Sequence, residues 1–197
     1  MLFRSVSQSR YVAHWGDNGN EIKSTGRATI RNGYYLFKAG IEWSRISSAQ
    51  SSFRILQEGF FHESASGVAF PQEKDIFSIL LFLNTQIAKY FLALLNPTMT
   101  FQSGDIARLP FIKGSDNKIG KSLVAISKND WDSYEISWDF SDNPIIRTKQ
   151  PNLGQAFNTW QQQNADAVAE MKRLEEENNK LFIEAYGLQD ELTPDVS

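Results

Sequence analysis

The residues best suited to chemistry are polar side chains in the first 55 positions. This stretch has eight basic residues against three acidic ones, a net charge of +5, and the whole chain carries −3, so the remainder carries −8. Basic side chains neutralise phosphates, arginine can grip a guanine edge with two hydrogen bonds, and serine or glutamine can bond to phosphates or bases. The candidate contacts to double-stranded DNA are Lys23, Arg27, Arg31, Lys38, Ser44, Arg45, Ser47, Ser48, Gln50 and Arg54. A solvated basic surface is the alternative, and charge alone does not separate the two.

Catalytic patterns are weak by comparison. His14 and His62 are the only histidines and the chain has no cysteine, so a multi-histidine or thiolate metal site is excluded. Acid-x-Lys pairs of the nuclease type occur at Asp116–Lys118 and Glu170–Lys172, but the first lies in a polar turn and the second in a helical pattern. The segment Gly114–Ser122 matches a phosphate-binding loop only with one residue too many. We therefore predict no catalytic residue and no metal site.

The elements that must position the basic residues read as a sheet. Asn32-Gly33 between two apolar runs predicts a β-hairpin over residues 28–37. Further strands are expected at Ile41–Ile46, Phe53–Leu56 and Gly67–Phe70. We expect Trp43 to lie in the core, because a large apolar side chain in a strand is usually there for packing.

A long apolar helix follows the predicted sheet. It is expected from about Ile76 to Asn96, where Pro97 ends it. Its length suits a membrane span, but Asn84, Thr85, Gln86 and Lys89 lie in its middle, so a buried helix with no membrane contact is the better interpretation. Beyond it we expect a strand at residues 98–101, a turn at Gly104, and a second helix or a turn from about Ser127.

The chain beyond Leu153 has apolar residues at a seven-residue spacing, which predicts one long helix packed lengthwise on another. The predicted packing residues are Phe157, Trp160, Met171, Leu174 and Leu181. Asn164 and Asn178 fall at core positions of the heptad, and Gly187 is expected to end the helix. Self-association through this helix is one expected use of the pattern.

The predicted fold class is α+β, with a mixed β-sheet, a buried central helix and the long C-terminal helix. We expect a recognition domain over residues 1–150 and a helical spacer or docking segment with a short tail over residues 151–197. The N-terminus lacks the apolar stretch of a signal peptide, so a cytoplasmic location is expected.

Short segments in a fixed order give the chain a family resemblance. They are Gly40–Ser47, Glu58–Phe60, Leu83–Thr85, Asn96–Thr98, Phe101-Gln102, Gly104–Ile106, Leu109-Pro110, Trp131–Tyr134, Trp138–Phe140, and the tail Leu181–Ile183 to Leu192–Pro194. In this order the chain resembles the target-recognition domains of DNA adenine methyltransferases, notably PglX-type enzymes of phage-exclusion (BREX) systems. It is similar more distantly to type I restriction specificity subunits. The resemblance implies recognition of a specific DNA site within a restriction-modification or phage-defence system.

The resemblance also implies what this segment lacks. Such enzymes carry a catalytic Asn-Pro-Pro-Tyr motif, and the sequence contains only Asn96-Pro97-Thr98 and Asn143-Pro144-Ile145. We therefore expect no cofactor in this chain, S-adenosylmethionine in the full enzyme, and a methyltransferase catalytic domain as partner, in the same or a separate chain. The alternative function is a protein-interaction module that docks through the C-terminal helix.

Overall fold

The computed structural model describes residues 12–27, 29–47, 52–62, 65–113 and 117–196. Its strands are β1 (Gly40–Ser44), β2 (Phe53–Leu56) and β3 (Ser66–Ala69), and its helices are α1 (Gly16–Ser24), α2 (Ile76–Leu83), α3 (Gln86–Leu95), α4 (Ser103–Ala107), α5 (Asn117–Trp131), α6 (Pro144–Arg147) and α7 (Leu153–Tyr186). Single 3-10 turns cover Gly33–Tyr35 and Glu73–Asp75. The predicted α+β class and the long C-terminal helix are confirmed.

Within the described residues the sheet has three strands, with β1 between β2 and β3. Both pairings are antiparallel, so the prediction of a mixed sheet was wrong in this detail. Side chains alternate across the sheet, and the inner face carries Ile41, Trp43 and Phe53, all buried in the core. Gly67 lies opposite Trp43, and a Cβ there would stand 2.3 Å from the indole atom Cε2, so only glycine fits. The strand at Phe53–Leu56 is as predicted.

The predicted hairpin around Asn32-Gly33 was wrong. Asn32 does adopt the left-handed conformation, with φ 53° and ψ 42°, but Gly33–Tyr35 continues as a 3-10 turn. The Tyr35 ring stacks on Phe70 at a centroid distance of 4.5 Å. This tertiary contact outweighs the local hairpin signal.

The apolar stretch that was predicted to form one helix is two helices, α2 and α3, bent by 76°. The Asn84 side chain bonds to both backbone groups of Phe53 on β2, at 3.2 and 3.0 Å, and Thr85 accepts the Ala88 N–H to cap α3. The polar residues inside the apolar run therefore break the helix and attach it to the sheet. Among the described residues no single helix has the length and apolar character of a membrane span, although the bent pair together meets that test.

The segment from Thr98 to Trp131 differs from its prediction. Thr100 pairs with Ile46 as an isolated bridge where a strand was expected, and Gly104 lies in α4 rather than in a turn. The helix expected near Ser127 begins at Asn117 and runs to Trp131. Its first turns bury Ile119 and Leu123, and this burial extends the helix beyond its local start signal.

Helix α7 runs for 34 residues and ends as predicted at Gly187, whose φ is 69°. The Leu188 N–H returns to the Ile183 carbonyl at 3.0 Å, which closes the helix end. Its second half packs into the main core, which includes Leu174, Phe182 and Ile183 together with Ile41 and Trp43. Residues on both sides of position 150 thus share one core.

Candidate nucleic-acid interface

The C-terminal end of β1 is held between two distant parts of the chain. The Arg45 N–H donates to the Ala65 carbonyl at 3.0 Å, and the Arg45 carbonyl accepts the Phe101 N–H at 2.7 Å. The Ser47 N–H donates to the Met99 carbonyl at 2.9 Å. The main chain that carries the candidate contacts Ser44, Arg45 and Ser47 is therefore held in place by hydrogen bonds to residues distant in sequence. Local sequence signals do not indicate these bonds.

Trp43 anchors this main-chain segment. It is buried as expected, and its indole Nε1 donates to the Phe101 carbonyl at 3.0 Å. A buried indole N–H without a hydrogen-bond partner costs free energy. This bond supplies the partner and holds the 99–102 segment against β1.

The Arg45 side chain meets the same segment. Its Nη2 donates to Gln102 Oε1 at 2.7 Å, which joins two residues 57 positions apart. Arg45 is half-buried and Gln102 is exposed, so the pair lies at the rim of the domain. Arginine and glutamine are also the side chains that bond bidentately to guanine and adenine edges in the major groove.

Asp105 holds the loop that carries Gln102. Its carboxylate accepts hydrogen bonds from Asn96 Nδ2 at 2.7 Å, from the Gln102 N–H at 3.1 Å and from Arg108 Nη2 at 2.6 Å. The bond from Asn96, followed by that from Arg108, lowers the pKa of Asp105 below its ordinary value. Asp105 is therefore an anionic centre that orders the 96–108 segment.

Arg54 belongs to a separate polar cluster on the outer face of the sheet. Its Nη2 donates to Ser44 Oγ at 3.3 Å, and its Nε lies 3.8 Å from Glu42 Oε2. Glu42 is buried and accepts the Ser66 hydroxyl at 2.6 Å. Arg54 thus compensates a buried carboxylate, a structural task that the sequence does not reveal.

The other basic candidates lie elsewhere. Lys23 and Arg27 are exposed at the end of α1, and Arg31 and Lys38 are exposed on either side of the 3-10 turn. The aromatic residues around that turn contact Phe70, whose ring lies beside Gly40 at the start of β1. Strand geometry places Gly40 about 16 Å from Arg45. Lys38, beside Tyr34 and Tyr35, therefore lies toward the Gly40 end of β1, and Arg45 and Arg54 lie toward the other end. Ser48 and Gln50 lie outside the described residues.

The predicted packing residues of α7 differ in burial between the two halves of the helix. Met171 and Leu174 are buried in the core, and Leu181 packs against it. Phe157 is 45% exposed, and Trp160 is half-buried with its ring 5.6 Å from that of Phe157. Of the two heptad asparagines, Asn164 is exposed, while buried Asn178 donates to the Leu81 carbonyl at 3.2 Å.

Sequence reasoning gave no role to Gln102, Asn96, Asp105 or Arg108, although three of them lie in the segments of the family resemblance. A polar residue followed three positions later by an acid, as in Gln102 and Asp105, is a helix N-terminal signal that could have located the start of α4. In the described part of the chain no group of three or more His, Cys, Asp or Glu side chains is arranged to hold a metal ion.

Comparison with known proteins finds two adenine-specific methyltransferases. The chain is 35% identical over 201 aligned positions to the adenine-specific methyltransferase PglX of Lacticaseibacillus casei, and the match covers 94% of this chain and 17% of that protein. It is 27% identical to the adenine-specific methyltransferase BrxX of Escherichia coli, over 93% of this chain and 15% of that protein. No protein-family model matches the chain. The chain is therefore related in sequence to one segment of these much longer methyltransferases.

Proposed function

We propose that this chain is the DNA target-recognition part of an adenine-N6 DNA methyltransferase in a phage-exclusion or restriction-modification system. Its sequence relation to one segment of two adenine-specific methyltransferases supports the proposal. Catalysis and S-adenosylmethionine binding then belong to the remainder of the full enzyme, in the same or a separate chain. The partner of this segment is double-stranded DNA.

The observation that carries the proposal is the Arg45–Gln102 pair. Two family-like segments, Gly40–Ser47 and Phe101-Gln102, are far apart in the chain and converge on one hydrogen bond at the rim. A partner that fixes a guanidinium reduces the entropy lost when the guanidinium binds a base edge. In this account Arg45 and Gln102 form hydrogen bonds with base edges, and Ser44 and Ser47 form hydrogen bonds with the sugar-phosphate backbone of the DNA. Asp105 positions the segment that carries Gln102.

The remaining basic side chains supply attraction that does not depend on DNA sequence. Lys23, Arg27, Arg31 and Lys38 are exposed and would contact phosphates. Contacts of this kind give dissociation constants of about 10⁻⁴ to 10⁻⁶ M and weaken steeply with salt. Arg54 contributes less, because it balances the buried Glu42 carboxylate.

Charge reversal tests the proposed DNA face. The triple variant Arg27→Glu, Arg31→Glu and Arg45→Glu should weaken binding to a fluorescein-labelled duplex and flatten its salt dependence, since three phosphate- or base-facing charges are inverted. Arg54 is left unchanged, so Glu42 keeps its partner. Anisotropy titrations at several salt concentrations provide the measurement.

The matched control inverts three exposed lysines that lie outside the basic first 55 residues, by Lys121→Glu, Lys149→Glu and Lys180→Glu. It changes the net charge by the same amount as the test variant. Equal affinity of the test variant and the parent would contradict the assigned DNA-binding surface. Equal weakening of binding in both triple variants would show that total charge, and not this surface, determines the affinity.

An assembly module that docks through α7 is the second candidate. Its support is the apolar exposure along the first half of α7, where Leu153 is 75% exposed and Phe157 45%. Sedimentation of the chain with Leu153→Ser and Phe157→Ser tests it. A lower mass than that of the parent would support assembly through α7, and an unchanged mass would contradict it.

A further inference from the structure

Three aromatic rings form a stack that ends in solvent. The Tyr34 and Tyr35 ring centroids are 4.0 Å apart, with the ring planes tilted by 34°, and Tyr35 lies nearly parallel to Phe70, with centroids 4.5 Å apart and an interplanar angle of 11°. Phe70 directly follows β3, so the inner end of the stack is fixed to the sheet. Tyr34 forms the outer end and is 67% exposed. A large ring in this position offers stacking area that the described part of the chain leaves largely uncovered.

Lys38 lies beside the stack. Its Nζ is 5.5 Å from the Tyr34 centroid and 5.7 Å from that of Tyr35. If the ammonium covered the outer face of Tyr34, its distance to the Tyr35 centroid would exceed its distance to the Tyr34 centroid by almost the 4.0 Å between the two centroids. The two distances are nearly equal, so Nζ lies at the side of the tyrosine pair. The outer face of Tyr34 is thus not capped by Lys38, and a positive charge lies next to it.

The backbone holds this arrangement at some conformational cost. Phe37 has a φ of 65°, a left-handed value that bulky residues rarely adopt. Its carbonyl accepts the Gly59 N–H at 2.9 Å, and its ring packs on Trp15 at 5.2 Å and on Phe61 at 6.0 Å. The Lys38 N–H then returns to the Tyr35 carbonyl at 3.3 Å. The strained residue turns the chain so that Lys38 lies beside the two tyrosines.

We propose that Tyr34 is a stacking site for an unpaired DNA base and that Lys38 binds the phosphate next to it. An aromatic face with an adjacent cation matches an unstacked nucleotide, because every base has a π face and every nucleotide a phosphate. This inference rests on the proposed function: a methyltransferase extrudes its target base, and the disturbed neighbours lose stacking partners. The site lies toward the Gly40 end of β1, and strand geometry places Gly40 about 16 Å from Arg45, so the proposed base-stacking and base-reading residues lie toward opposite ends of the strand.

The experiment compares two duplexes of the same sequence, one fully paired and one with a single unpaired adenine. The parent should bind the bulged duplex about tenfold more tightly, and Tyr34→Ala should bind both equally, because base–aromatic stacking has about that size. Tyr34→Phe and Tyr34→Trp should keep the preference. Thermal melting of each variant provides the folding check.

The matched control is Tyr90→Ala on α3, since Tyr90 is also a well-exposed tyrosine. It should keep the preference for the bulge. A parent that binds both duplexes equally, or a Tyr34→Ala variant that keeps the preference, would overturn the stacking site and leave duplex recognition standing. A parent that binds neither duplex would overturn both proposals.

Discussion

The indole of Trp43 and the carbonyl of Phe101 are joined by a 3.0 Å hydrogen bond between residues 58 positions apart. This bond and the Phe101 N–H to Arg45 carbonyl bond clamp the 99–102 segment onto the end of β1. We expect the Arg45–Gln102 hydrogen bond to depend on these two bonds, because they position the segment that carries Gln102. The packing of Trp43 is therefore connected to the proposed base-reading side chains through one short segment.

Gly67→Ala should destabilise the fold, because the new methyl group would stand 2.3 Å from the Trp43 ring. Overpacking of this kind costs roughly 1–3 kcal/mol. Gly104→Ala is the matched control, since a Cβ at that helical position meets nothing within 4 Å. Urea unfolding of both variants measures the effect. Two variants of equal stability would contradict the packing of Trp43 against Gly67.

Asp105 should make stability fall at acid pH. Its folded pKa lies below the ordinary value of 3.8, so the carboxylate stabilises the fold above that value and loses this effect as pH falls through the lower folded pKa. Asp105→Asn should be less stable than the parent at neutral pH, and the gap should narrow between about pH 5 and about pH 2. Urea midpoints of both proteins across that range test it. A gap independent of pH would contradict the anionic role of Asp105.

Leu174→Ala and Phe157→Ala should separate the two halves of α7. Leu174 is 5% exposed, so its truncation should cost roughly 2–5 kcal/mol. Phe157 is 45% exposed in the first half of α7. Its substitution should therefore change the free energy of unfolding by only roughly 0.5 kcal/mol. Thermal melts of the two variants make the comparison. Equal losses would show that the first half of α7 is covered in solution.

The chain alone should transfer no methyl group, because its sequence lacks the Asn-Pro-Pro-Tyr motif. Incubation with labelled S-adenosylmethionine and duplex DNA should give background incorporation, with an active adenine methyltransferase as positive control. Reproducible labelling of the DNA by the pure chain would contradict the assignment of catalysis to another part of the enzyme.

Local signals predicted the elements that depend on local chemistry. The apolar pattern at Phe53–Leu56 gave a strand, and Gly187 gave the end of α7, because each needs only its own backbone preference. The predictions of a hairpin at Asn32-Gly33 and of a single helix through Asn84 were wrong. Both conformations depend on tertiary contacts, of Tyr35 with Phe70 and of Asn84 with Phe53 on β2, which local sequence signals do not contain. For the same reason the role of Gln102 could not be predicted, because its partner is 57 residues away.

The most direct test of target recognition is selection of bound duplexes from a randomised DNA pool. We predict that the parent enriches one sequence motif, that Arg45→Ala relaxes the motif at one position, and that Arg27→Ala lowers yield without changing the motif. The difference follows from the roles assigned to base-edge and phosphate contacts. A parent that binds DNA and enriches no motif, or an Arg45→Ala variant that selects the unchanged motif, would contradict the account.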